Sequence, residues 1–509
     1  VVAAAGALLL AACAAPNEPV AVAARRTMAS TVPTTTPETG TSVTGQTSPP
    51  STTVPADATV PTSVPGALSR STSAGDRRYP RLGSADIDVE QYDVALTYDP
   101  EAVSLTGQIA VSGHFRNPTD QIALDAAGPR VTGVTGDDGE LAFTQADDEL
   151  IVSLATAEPA GAPFAITVDF TSAVPKTGDF LERAGLFMNE DGPGVWSVNE
   201  PDGTSTWLPT NDHPTDKATW RFEVTVPEGL SAIANGELDG TVLDDTTGSS
   251  TWTWDQREPM ASYLVLLLIG DYETIDGGRS TTGVELDSAA EPKDAGDVAN
   301  YADLVDRQLT YFTDQFGTYP FDRYGIAIAD SASGLAMETQ GMPLFSRADL
   351  DGSLGYFQHL LLAHEMSHQW FGDAVSPAQW DDIWLNEGWA TYSEWMWLDH
   401  EGLDTLDGQA QRALLQSANG GGPVSRPDDL FGGVSYDGGG AVLHALRLTI
   451  GDTAFFAGAR SWVKDHMDST GSTDDFQATM EKASGSDLDD FFATWVHAPD
   501  RPDTFPTPS

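Results

Sequence analysis

The chain has 509 residues, 40% apolar and 20% charged, so it is too long for one ordinary core and has material for two folded domains. Its 76 Asp and Glu against 25 Lys and Arg give a formal charge of −51, which repels nucleic-acid phosphates and argues against a nucleic-acid partner. The single cysteine, Cys13, excludes an intramolecular disulfide and a cysteine-based metal site.

Residues 1–13, VVAAAGALLLAAC, form an apolar run too short to span a bilayer and ending in small residues. The last four, Leu10-Ala11-Ala12-Cys13, resemble a bacterial lipobox, in which cleavage leaves the cysteine as a lipid-bearing N-terminus. The expectation is an extracytoplasmic lipoprotein held to the bacterial cell membrane through Cys13, with a plain secreted protein as the alternative. Residues 14–78 are dominated by Thr, Ser and Pro, with no apolar period, and read as a disordered tether.

From 79 to 275, short alternating runs broken by Gly, Asp, Asn and Pro predict strands: VEQYDVALTYD, LTGQIAVSGHF, PFAITVDFTS, ATWRFEVTVP and STWTWDQ. This half reads as an all-β, sandwich-like domain. From 276 to 509 the period changes. DVANYADLVDRQLTYFTDQFG carries apolar residues at helical spacing, the strand GIAIAD follows, and LGYFQHLLLAHEMSHQWFG, NEGWATYSEWMWLDH, AVLHALRLTIG and DTAFFAGARSWVKDHM read as helices. The fold class is therefore α+β, with a helix-rich second domain containing a small sheet.

The helix at 354–372 carries HEMSHQW. His364 and His368 lie four apart on one face and aim their imidazoles at one point, as a divalent zinc ion requires. Glu365 projects close to that point, where a carboxylate takes a proton from zinc-acidified water. Two His and a Glu on an apolar helix are costly to bury without partners, and metal binding removes that cost. Catalytic zinc takes three protein ligands. The third candidate is Glu387 in WLNEGWATYSEW, with 18 residues between it and His368. Gly388 beside it allows close helix approach. Glu394, seven residues on, shares its helical face and is placed to hydrogen-bond a ligand histidine from behind. Trp370, Trp380, Trp384, Trp389, Trp395 and Trp397 crowd the same stretch and read mostly as packing between the ligand-bearing helices.

HEMSHQWFGDAVSPAQWDDIWLNEG resembles the zinc signature of the aminopeptidase N family of gluzincin metallopeptidases, and the resemblance runs from about Asp86 to Pro506. It implies a thermolysin-like catalytic domain and one zinc ion held by His364, His368 and Glu387, with Glu365 as general base. It also implies that Tyr436, in SYDGGG, hydrogen-bonds the oxyanion. Glu338, in SGLAMETQG, matches the glutamate that grips the substrate's free α-amino group, and Glu200, in VNEPDG, stands where the family has a second amine-binding residue. The implied substrates are peptides with a free N-terminus, and the implied form is a short two-domain one without the family's C-terminal helical domain. Three positions depart from the pattern: Leu335 for Gly, Thr339 for Asn and Gly438 for Lys. The alternatives are a gluzincin endopeptidase with relaxed amine recognition and a non-catalytic peptide-binding surface lipoprotein.

Overall fold

The computed structural model describes residues 73–175, 184–189, 192–331, 334–417 and 421–507. The lipobox with Cys13, and the tether as far as residue 72, lie outside the described residues.

Alternation dictates the N-terminal half. In Ile87–Asp99, buried Tyr92, Val94, Leu96 and Tyr98 alternate with exposed positions, which puts one face of the strand on the core. An eight-stranded sheet runs in the order Glu237–Asp244, Ser249–Met260, Ala218–Pro227, Ile87–Asp99, Ser104–Phe115, Pro163–Ala173, Arg130–Gly136 and Gly139–Glu140. Its pairs are antiparallel except that between Ile87–Asp99 and Ala218–Pro227, which is parallel. All five strands expected from the alternating runs fall in this sheet. A three-stranded sheet joins Thr119–Asp125, Glu149–Glu158 and Ala142–Ala146. A four-stranded sheet orders Ser231–Ala234, Leu267–Gly270, Val195–Val198 and Gly185–Met188. The first three of these strands are buried at every position, so they carry no alternation and escape a period-based reading.

The second half opens on a six-stranded sheet. Its main path is Glu273–Arg279, Glu285–Ala290, Ala327–Ala329, Leu344–Ser346 and Ala336–Met337, with Arg323–Tyr324 paired beside it. Ala336–Met337 is an edge strand and leads directly into Glu338. Seven α-helices follow in chain order among the described residues: α1 Ala295–Phe316, α2 Tyr356–His368, α3 Trp384–His400, α4 Leu406–Ser417, α5 Gly439–His466, α6 Thr473–Ser484 and α7 Asp489–Trp495. The two helices expected at 441–451 and 452–467 are the two arms of α5, which break at Gly451, where φ is 78°. Helix α1 buries Val298, Tyr301, Leu304, Val305, Leu309 and Phe312, the stripe expected from its period.

Helices α2 and α3 pack together with little exposed surface, and all six tryptophans of the 370–397 stretch are buried. Trp389 stacks on Phe371 at 4.3 Å between ring centroids, and Trp370 sets its edge against Phe316 and Tyr319. Gly388 brings α3 onto the start of α5: a Cβ there would stand 2.8 Å from the Gly439 Cα and 2.9 Å from its carbonyl carbon. Gly388→Ala gains about 1 kcal/mol of helix propensity, but the clash is with backbone, and overpacking of this kind costs about 1–3 kcal/mol. The expected outcome is a lower melting temperature. A rise would mean that the two helices separate freely.

Candidate active site

The i, i+4 geometry of α2 sets both imidazoles on one side of the helix, with ring centroids 4.8 Å apart. Each ring is held from behind. His364 Nδ1 pairs with Glu394 Oε1 at 2.6 Å, and His368 Nδ1 donates to the Phe371 carbonyl at 3.1 Å. With Nδ1 as the donor, Nε2 presents a lone pair. Both Nε2 atoms face Glu387 Oε2 from α3, at 3.3 Å and 3.5 Å. That oxygen is buried and has no hydrogen-bond partner. Two lone pairs and a carboxylate oxygen converging in a buried site repel one another unless a cation or protons sit between them, and a two-His, one-carboxylate donor set is a catalytic zinc set. The three ligand atoms lie within 4.8 Å of one another. The residues fit zinc.

Electrostatics agree with that fit. Burial pushes Glu387 up, yet the facing His364 and His368 imidazoles outweigh it and bring the carboxyl down to about 2. Burial pushes His368 down, yet Glu338 and Glu387 outweigh that and leave it at about 9. The point draws positive charge, carried by protons on the imidazoles when no ion is bound, and a divalent cation would take the place of those protons.

Glu365 is buried, and burial pushes its carboxyl up to about 8 against the opposing His364 and His368 imidazoles. A divalent charge at the His–His–Glu point draws it back toward the ionised form that a base needs. The Tyr436 ring lies parallel to His364, with centroids 6.0 Å apart, in a single π-helical turn, Val434–Gly438, that runs into α5. Glu338, Glu365 and His368 bring their polar atoms within 4.8 Å of one another. Burial, with Glu338 and then Glu387 adding, pushes Glu200 well above the usual carboxylate range. Glu338 Oε1 and Glu200 Oε1 are both buried without a partner.

Removing Glu394 unties the His364 ring. Glu394→Ala is expected to weaken zinc binding about 10- to 100-fold, the usual loss for such a supporting carboxylate, in a competition titration against a chelator. Unchanged affinity would mean that packing alone orients the ring.

The structure adds residues that spacing did not reveal. Gln369 ties the end of α2 to the Glu338 loop: its Nε2 donates to the Glu338 carbonyl at 3.3 Å, and its Oε1 accepts from Gly341 N–H at 2.8 Å. Asp373 is fully buried with both carboxylate oxygens unpartnered, and burial, with Glu338 adding, pushes it well up. Nothing in WFGDAV distinguishes that aspartate from a solvated turn residue. The departures have local explanations. Leu335 is buried in the core, and Thr339 closes its own turn by donating Oγ1 to the Met342 carbonyl at 2.6 Å.

Comparison with known proteins places this geometry in a family. The description "Peptidase family M1 domain" matches residues 301–495, and "Peptidase M1 N-terminal domain" matches residues 88–264. A crystal structure of a two-domain M1 zinc metallopeptidase bound to L-arginine is 30% identical, with a TM-score of 0.75, over 86% of this chain and 100% of that one. The chain belongs to peptidase family M1. An M1 zinc metallopeptidase from Deinococcus radiodurans, crystallised as a variant with a Tyr-Ser-Ala substrate, is 29% identical, with a TM-score of 0.74, over 86% of this chain and 99% of that one. Among curated M1 relatives, aminopeptidase M1-C of Oryza sativa subsp. japonica is 26% identical over 83% of this chain and 50% of its own length. Glutamyl aminopeptidase of Bitis rhinoceros is 29% identical over 58% of this chain and 33% of its own. The chain thus spans half or less of these two relatives. As in its two-domain M1 neighbours, a β-rich N-terminal domain precedes a helical catalytic domain that takes zinc.

Proposed function

We propose that this chain is a zinc-dependent aminopeptidase that hydrolyses the N-terminal peptide bond of peptides. One observation carries the exopeptidase part of the reading. Glu338 and Glu200 each present a buried, unpartnered carboxylate oxygen beside Glu365 and the His364–His368–Glu387 point. A substrate ammonium supplies both the charge and the donors that these oxygens lack. L-Arginine and Tyr-Ser-Ala, the ligands of the two-domain neighbours, each carry a free α-amino group.

His364, His368 and Glu387 would hold a zinc ion, which would supply Lewis-acid polarisation of the scissile carbonyl and lower the pKa of the attacking water. Glu365 takes the water's proton and passes it to the leaving amine nitrogen. The Tyr436 hydroxyl donates to the carbonyl oxygen as charge develops there, and the edge strand Ala336–Met337 offers unpaired backbone groups to an extended substrate. Placement outside a bacterial membrane, on a lipid carried by Cys13, belongs to the same proposal and rests on the LAAC stretch.

The test compares a free-amine peptide with its N-acetylated twin, each with and without a chelator. Chelator-sensitive cleavage of the free-amine peptide alone supports the reading. Cleavage of both makes the chain an endopeptidase, and cleavage of neither by zinc-loaded protein leaves a peptide-binding role.

A further inference from the structure

Residues 73–78, which composition reads as the end of the tether, are built into the fold, ahead of the matched N-terminal domain that begins at residue 88. Ser73 pairs with Ser84, and the Ala74 N–H donates to the Leu82 and Gly83 carbonyls at 3.3 and 3.2 Å, which closes a loop. Inside that loop Asp76 is 2% exposed and accepts the backbone N–H groups of Arg78, Tyr79 and Trp380, each at 2.7 Å. The first two bonds shape the loop. The third fastens it to the connection between α2 and α3, where Tyr79 also sets its ring against the edge of Trp380.

Arg78 then reaches two separate stretches of the catalytic domain. Its Nε and Nη2 donate to the buried Asp381 Oδ1 at 3.1 and 3.0 Å, and Nη2 also donates to the Pro427 carbonyl. Asp381 lies in the turn Trp380–Asp382, which leads through Ile383 into α3, and the Glu387 N–H bonds the Ile383 carbonyl at 3.0 Å. Pro427 precedes buried Leu430 and Phe431, and Ser435 Oγ donates to the Leu430 carbonyl at 2.8 Å, one residue before Tyr436. One guanidinium thus joins the approach to the ligand Glu387 with the approach to Tyr436.

That tie matters because the Tyr436 turn does little to hold itself. It reads GGVSYDGGG, with two glycines before and three after, and such a run keeps wide backbone freedom. On its far side the turn is fixed by the close approach of Gly439 to Gly388 on α3. On its near side Arg78 supplies a fork that a carboxylate and a carbonyl accept together.

We propose that Arg78 is a positioning residue for the reaction: from the end of the tether it sets the Tyr436 hydroxyl relative to the His364–His368–Glu387 point. This inference rests on the role given to Tyr436 in the proposed function.

The experiment measures kcat and KM for Arg78→Met, Arg78→Lys, Arg77→Met, Tyr436→Phe and the Arg78→Met/Tyr436→Phe pair. The substrate is whichever of the free-amine and N-acetylated peptides the wild type cleaves, and zinc content is measured on each preparation. Arg78→Met should lower kcat about ten- to a hundredfold, the cost of misplacing a group by about 1 Å, with KM and zinc content held. Added to Tyr436→Phe, the same change should lower kcat by less than about threefold, because the group that it misplaces is already gone. Arg78→Lys should recover part of the loss. Arg77→Met takes an exposed guanidinium from the same Asp381, leaves the Pro427 bond in place, and should stay near the wild type.

Unchanged kcat in Arg78→Met would overturn the proposal. So would an equal loss with and without the Tyr436 hydroxyl, which would make Arg78 a brace of the fold at large. Should Arg78→Met not fold, Arg78→Lys goes through the same cycle under the same two criteria. Wild-type kcat in Tyr436→Phe would instead refute the role given to Tyr436, and this inference with it.

Discussion

Glu365→Gln is expected to lower turnover roughly a thousandfold, the middle of the range for a lost general base, while zinc content stays unchanged. The reason is positional. Glu365 sits on α2 between the two ligand histidines, and its carboxyl lies beside Glu338 and His368 without belonging to the His364–His368–Glu387 set. Glutamine keeps the volume and a hydrogen-bonding oxygen but cannot take a proton from water. Burial is already complete here, so the swap removes a desolvated charge and leaves stability level or slightly raised. Steady-state kinetics with zinc analysis of the same preparation check it. Turnover within a few fold of the wild type would assign the proton transfer to another group, Glu338 in the same cluster being one.

The second large effect concerns Glu387. Its Oε2 is the point at which both imidazole lone pairs converge, so Glu387→Gln removes the one negative ligand and leaves two neutral ones. Zinc affinity and activity should fall together to the chelated background. Stability provides an independent reading. Zinc at a hundredfold excess over its Kd stabilises the folded chain by about 2.7 kcal/mol, so a chelator should lower the melting temperature of the wild type. In Glu387→Gln the chelator should change nothing. A variant that keeps a chelator-sensitive melting temperature would show that the third ligand lies elsewhere.

Much of this site was legible because short-range helix geometry carries it. The spacing of His364 and His368 fixes a shared direction once the segment is helical, and Glu387 and Glu394 share a face of α3 for the same reason. Gly388 was legible as a packing position because a glycine inside a strong helix pattern needs a reason, and the Gly439 backbone supplies it. The alternating strands of the large sheet were legible because one face is wet. The strands Val195–Val198 and Leu267–Gly270, buried throughout, lack that signal. What sequence could not reveal depends on contacts between distant segments. Arg501 meets Gly438 from 63 positions away, and Asp125 accepts from the Asp212 N–H across 87. Gln369 is adjacent to the ligands in sequence, but its task is set by a loop about thirty residues earlier. No local period encodes any of these.

Anomalous diffraction at the zinc edge from crystals of the chain tests the central claim most directly. The account predicts one strong peak per chain, about 2.0–2.2 Å from His364 Nε2, His368 Nε2 and a Glu387 carboxylate oxygen. A peak at any other set of side chains, or none from zinc-loaded protein, would contradict it.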